Sequence, residues 1–118
     1  HDSHNILITG HRPEDMLLAV QELEQCGGGL IFVENGNILG KVELPIAGLM
    51  SPKPVAELAA EMQMMDDLAV ELGIPHRARA LATTGLALTV IPEVRLSDLL
   101  GMVDVATQEP IPVFPDFA

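Results

Sequence analysis

Apolar positions along this chain fall into short runs with different spacings, and each spacing predicts its own element. Residues 5–9 carry Ile6, Leu7 and Ile8 in succession before Gly10, a density and length that predict a buried strand rather than a helix. Pro13, Glu14 and Asp15 come next and predict a helix start. Proline is tolerated in a first turn whose N–H has no intrahelical partner, and acids are favoured at the positive end of the helix dipole. Met16, Val20 and Leu23, with Leu17 and Cys26 beside them, recur at spacings of three and four and supply the apolar stripe. Gly27, Gly28 and Gly29 stop that helix.

Residues 30–33 are β-branched, aromatic and aliphatic, residues 34–37 read Glu-Asn-Gly-Asn, and residues 38–44 return with alternating character. Asn-Gly readily supplies positive φ, so this stretch predicts a β-hairpin. Residues 44–51 are apolar yet broken by Pro45 and Gly48; such a loop needs a surface to lie on. Pro54 opens the longest helix, with Val55, Leu58, Ala59, Met62, Met65, Ala69 and Leu72 on one face. Glu57, Glu61, Asp67 and Glu71 fall largely on the other face, and Gly73 and Pro75 end the helix. Residues 80–88 are small and apolar, and periodicity leaves helix and strand open there. Residues 90–96 read as extended, 98–101 as a turn, and 102–106 as a last edge strand. The pattern as a whole predicts an α+β domain over residues 1–108: a mixed β-sheet containing the hairpin, packed by two main helices near 14–26 and 55–72. A Pro-rich irregular tail is expected over 109–118.

Composition narrows the function classes. With 6 Lys plus Arg against 17 Asp plus Glu, the formal net charge is −11, which argues against a phosphate backbone as partner, since that affinity comes from clustered cations. No apolar run approaches the ~20 residues of a membrane-spanning helix, so no membrane partner is expected and the chain reads as cytoplasmic. The single Cys26 cannot close an internal disulfide or anchor a thiolate cluster alone, and reads as a small apolar side chain. A mean hydropathy of +0.34 is high for a small free monomer, which has much surface to keep wet. Together with a start that runs from polar residues straight into a strand-like run, this suggests a piece of a larger protein whose apolar flank is covered.

Three of the four histidines fall within the first eleven residues. Asp2 and His4 are two apart and would share one face of an extended chain, where either could bind a divalent metal or exchange a proton. Adding His1 gives three donors, but His1 and His4 would point to opposite faces of a regular strand. A metal or proton-transfer role, a loop hydrogen-bonding role and a cloning remnant all stay open for this cluster, and a stand-alone metal-binding domain is one consequence of the first. Gly27-Gly28-Gly29 follows a helix and precedes a strand, the wrong order for a phosphate cradle. Ser51 and Ser97 read as turn or capping residues. Met62, Met64 and Met65 read as gap-filling core, and the acids of the second helix as one wet face. No self-contained active site emerges.

Several strings nevertheless occur in a specific order: His-Asp-Ser-His-Asn-Ile from His1, Asp15-Met16, the three glycines, Leu-Pro-Ile-Ala-Gly-Leu-Met-Ser from Leu44, and Val90-Ile91-Pro92-Glu93. Together they resemble the C-terminal domain of bacterial and archaeal adenine deaminases, from His1 to about Val105. The resemblance implies a fragment of an amidohydrolase-superfamily enzyme that hydrolyses adenine to hypoxanthine and ammonia in purine salvage. It implies a manganese or iron centre in a (β/α)₈ barrel that precedes this segment, whose metal-bound hydroxide attacks the purine carbon bearing the amino group. On this reading no catalytic residue and no metal ligand lie in the fragment, and the fragment alone is inactive. Its partners are the N-terminal barrel of the same enzyme and, through the parent, adenine, with a homo-oligomer expected. Asp2, His4 and Asn5 become candidates for the wall of the substrate cleft, since a polar cluster on the lip of a buried strand must be hydrogen-bonded. The segment before Val90 lacks the aromatic residues that the family pattern leads one to expect, and residues after Thr107 follow no family pattern. The alternative from another class is a non-catalytic ligand-binding or oligomerisation module built on the same domain.

Overall fold

A computed structural model describes residues 6–74, 88 and 91–114. The elements run α1 (Pro13–Cys26), β1 (Gly29–Glu34), β2 (Asn37–Glu43), α2 (Val55–Glu71), β3 (Val94–Ser97), β4 (Gly101–Asp104) and β5 (Glu109–Pro110). The α+β class expected from the sequence is the class observed. Among the described residues, however, the strands form two antiparallel sheets, one of β1 and β2 and one of β3, β4 and β5, rather than a single mixed sheet.

The first helix begins at Pro13 and ends where predicted. Gly27 adopts φ 82°, its N–H donates to the Glu24 carbonyl at 3.3 Å, and the Gly28 N–H donates to the Leu23 carbonyl at 2.9 Å. This is the paired closure that satisfies the last carbonyls of a helix when a glycine takes the left-handed turn. The hairpin follows at once. Asn35 and Gly36, at φ 51° and 76°, form its two-residue turn, whose twist matches that of the flanking strands.

Cross-strand pairing sets Leu30 opposite Val42, Ile31 opposite Lys41 and Phe32 opposite Gly40, with an irregularity at Phe32/Val33. Gly40 and Val42 are buried, and α2 lies over them: a methyl placed on Gly40 would come 2.5 Å from Leu68 Cδ1 and 3.0 Å from Met65 Sδ. Lys41, projecting to the other face by strand alternation, bonds Glu22 of α1 at 3.2 Å and Glu43 at 3.0 Å. The buried apolar side chains of this body are Ala19, Leu23, Val42, Met65 and Ala69. Met65 thus behaves as the core residue expected, whereas Met62 and Met64 are 36% and 41% exposed and Val55 is 85% exposed. Only the C-terminal half of α2 buries its stripe.

Two expectations are corrected. The run Ile6, Leu7, Ile8 forms no strand, and Ile6 is exposed; apolar density alone fixes neither pairing nor depth. Residues 101–104 form the middle strand of their sheet, not its edge. The Asp104 carboxylate accepts the Ala106 and Thr107 N–H groups at 2.8 and 3.1 Å, which turns the chain back so that Glu109 and Pro110 pair with Asp104 and Val103. Pro110 lies on the outer strand, where a missing N–H is tolerated. The segment 80–88, except Leu88, lies outside the described residues.

Candidate functional site

The first turn of α1 and the turn of the hairpin meet at one carboxylate. Asp15 is buried, and its two oxygens accept the Asn35 N–H at 3.0 Å and the Gly36 N–H at 2.7 Å. Arg12 lies 3.6 Å from the same carboxylate and also donates to the Asn35 side-chain oxygen. The positive end of α1 further favours the anion. With both oxygens committed to backbone amides and a guanidinium alongside, Asp15 fastens two elements together. Sequence reading placed Asp15 at a helix start and Asn35-Gly36 in a turn, but nothing in their spacing of twenty residues joined them.

Asp15 is among the residues that line a cleft of about 1120 Å³. Its walls include Met16, Ala19 and Leu23 of α1, Leu30 to Val33 of β1, Met62, Met65 and Ala69 of α2, and Ala47, Gly48 and Leu49 of the loop after β2. The stretch from Ile6 through Arg12 lines it as well. The lining is mainly apolar, with Thr9, His11, Arg12, Asp15, Glu24, Glu34, Asn35 and Asp66 as its polar side chains.

The sequence candidates Asp2, His4 and Asn5, and His1 with them, lie outside the described residues; the chain that continues from them is the one lining the cleft from Ile6 onward. Among the described residues, no group of three or more His, Cys, Asp or Glu side chains is placed to hold a metal ion. Cys26 is partly buried, with Sγ 3.3 Å from the Gly28 carbonyl oxygen. Two lysines have raised pKa values. Lys41 rises chiefly through its hydrogen bond to Glu43 and also through Glu22, against an opposing desolvation. Lys53 rises chiefly through its hydrogen bond to Glu61, again against desolvation. Both lysines keep their charge and act as cross-links. No helix among the described residues is long and apolar enough to cross a membrane.

Comparison with known proteins decides what this arrangement belongs to. The family described as the adenine deaminase C-terminal domain matches residues 1–109. The chain belongs to that family. It is 43% identical over 114 residues to adenine deaminase 2 of Carboxydothermus hydrogenoformans, covering 96% of this chain and 20% of that protein. It is 47% identical over 117 residues to the adenine deaminase of Roseobacter denitrificans, covering 96% of this chain and 19% of that protein. With the adenine deaminase of Clostridium botulinum the identity is 42% over 104 residues, 88% of this chain and 17% of the relative. This adenine deaminase C-terminal domain thus spans about a fifth of the length of the relatives it matches.

Proposed function

We propose that the chain serves as the accessory C-terminal domain of an adenine deaminase, a hydrolase that releases ammonia from adenine, and that the reaction itself is carried by the upstream part of the polypeptide. The observation that carries this reading is the family match over residues 1–109 by a chain only a fifth as long as its relatives. The domain occupies residues 1–108, with a Pro-rich tail over 109–118 whose first two residues are drawn into β5. On this reading the metal centre, manganese or iron, belongs to the upstream barrel. The parent acts in the cytoplasm as a homo-oligomer.

Within this division of labour the domain contributes a wall. Ile6 and the residues after it line the cleft, which supports assigning Asp2, His4 and Asn5, just before them in sequence, to the wall that meets the upstream domain near the substrate. A carboxylate and an imidazole there orient adenine through its ring nitrogens and amino group. The test is adenine deamination, followed as ammonia release, by the full-length protein and by its Asp2→Ala and His4→Ala versions. Turnover by the full-length protein, none by residues 1–118 alone, and a fall of about tenfold or more in either variant with unchanged circular dichroism is the expected result. Unchanged kinetics in both variants remove the cluster from the substrate cleft, and turnover by the isolated domain overturns the division of labour.

A further inference from the structure

The loop between β2 and α2 is an apolar knuckle with a fixed backbone. Ile46 N–H donates to the Met50 carbonyl at 3.1 Å, and the Leu49 and Met50 N–H groups both return to the Ile46 carbonyl at 3.1 Å. Ala47 and Gly48 at its apex take φ 57° and 71°. A left-handed alanine costs about 1–2 kcal/mol, so surrounding contacts must impose the conformation. They come from the end of α1. The Leu44 N–H donates to the Gly28 carbonyl at 2.9 Å, and the two backbones approach so closely that a methyl on Gly28 would lie 2.6 Å from Gly48 Cα.

The result is a shape that presents its apolar side chains instead of folding them inward. Ile46 and Leu49 are each 46% exposed and Met50 is 58% exposed. Residues 44–52 contain no charged side chain in a chain whose net charge is −11. What covers the knuckle must therefore be apolar and uncharged, and a preformed surface of this kind loses little conformational entropy on docking.

Position identifies the occupant. Ala47, Gly48 and Leu49 line the same cleft as Ile6, the N-terminal end of the described chain, and the relatives carry about four fifths of their length outside the matched region. We infer that the knuckle of Ile46, Leu49 and Met50 is the contact on which the upstream domain of the same polypeptide docks. This rests on reading the chain as the C-terminal part of a longer enzyme.

The experiment is amide hydrogen exchange in the full-length protein, unaltered and with Leu49→Asp or the milder Leu49→Ser. Both substitutions fall on a half-exposed side chain, and circular dichroism reports whether the fold is kept. The expected result is exchange across residues 46–51 about tenfold faster in a folded variant, with faster proteolysis of the segment preceding His1. Exchange and proteolysis unchanged in both variants overturn the inference. So does protection that disappears on dilution of the unaltered protein together with a dimer, which makes a second copy the occupant. Adenine turnover by the unaltered full-length protein is scored separately: its absence rejects the proposed activity, while the exchange result judges the docking contact by itself.

Discussion

Asp15 carries more of this fold than its place in the first turn of a helix announces. Two backbone N–H groups of the hairpin turn end on its carboxylate, and they are left unpaired in a partly buried place if it is removed. Hydrogen bonds to a charged group contribute about 1.5–3 kcal/mol each and are not additive when shared. Asp15→Ala is expected to lower unfolding stability by about 2–3 kcal/mol, read from the urea midpoint. Gly28 is the second such residue. At φ 116° and with the Gly48 backbone in the way, Gly28→Ala combines left-handed strain with a backbone clash, and a loss of about 2–4 kcal/mol is expected by the same measurement. A loss below about 0.5 kcal/mol in either variant contradicts these assignments.

Among the elements, β2 lies between the two helices in its contacts. Gly40 lets the Met65 and Leu68 side chains of α2 come close, while Lys41 reaches Glu22 on α1. The Lys41 pKa stands above its ordinary 10.5, mainly because of Glu43. The charged form is therefore favoured by folding. The stabilisation is complete below the unfolded pKa and is lost as pH rises through the folded one. The expected outcome is a denaturation midpoint that falls as pH rises above about 10.5, with a shallower fall in Lys41→Met. Parallel slopes in the two proteins would show that the lysine does not tie the elements. The second sheet depends on side-chain turns instead: Ser97 Oγ accepts the Leu99 and Leu100 N–H groups at 3.2 Å each, and Asp104 directs the chain back into β5. Sequence reading found the turn at 98–101 but not the return after Asp104, because the run 102–106 looks the same at an edge or in the middle of a sheet.

For the whole molecule, six apolar residues are buried among those described, while Val55, Leu99 and Phe114 are more than four fifths exposed. The high mean hydropathy noted from composition thus reappears as uncovered apolar area rather than as a thick core. The isolated chain is expected to bind a hydrophobic dye in its native state, and the full-length protein to bind less dye per C-terminal domain. Equal binding by the two would mean that the upstream domain covers none of this surface. The α+β class, both helices and the hairpin were legible in the sequence because each is written in local spacing and turn chemistry. The cleft was not, since its walls come from segments as far apart as Ile6 and Ala69.

By itself the sequence determined the local units: where Pro13 opens a helix and Gly27 closes it, where Asn35-Gly36 reverses the chain, and which strings resemble a known family. Those signals act between neighbours, through dihedral preference, capping and side-chain period. Tertiary structure alone decided that Asp15 answers to Asn35 and Gly36, that Gly28 presses on Gly48, that β4 is central, and that the loop of Ile46 and Leu49 faces outward. Such contacts depend on the distance between backbones that meet only after the chain has closed, and side-chain spacing does not encode that distance.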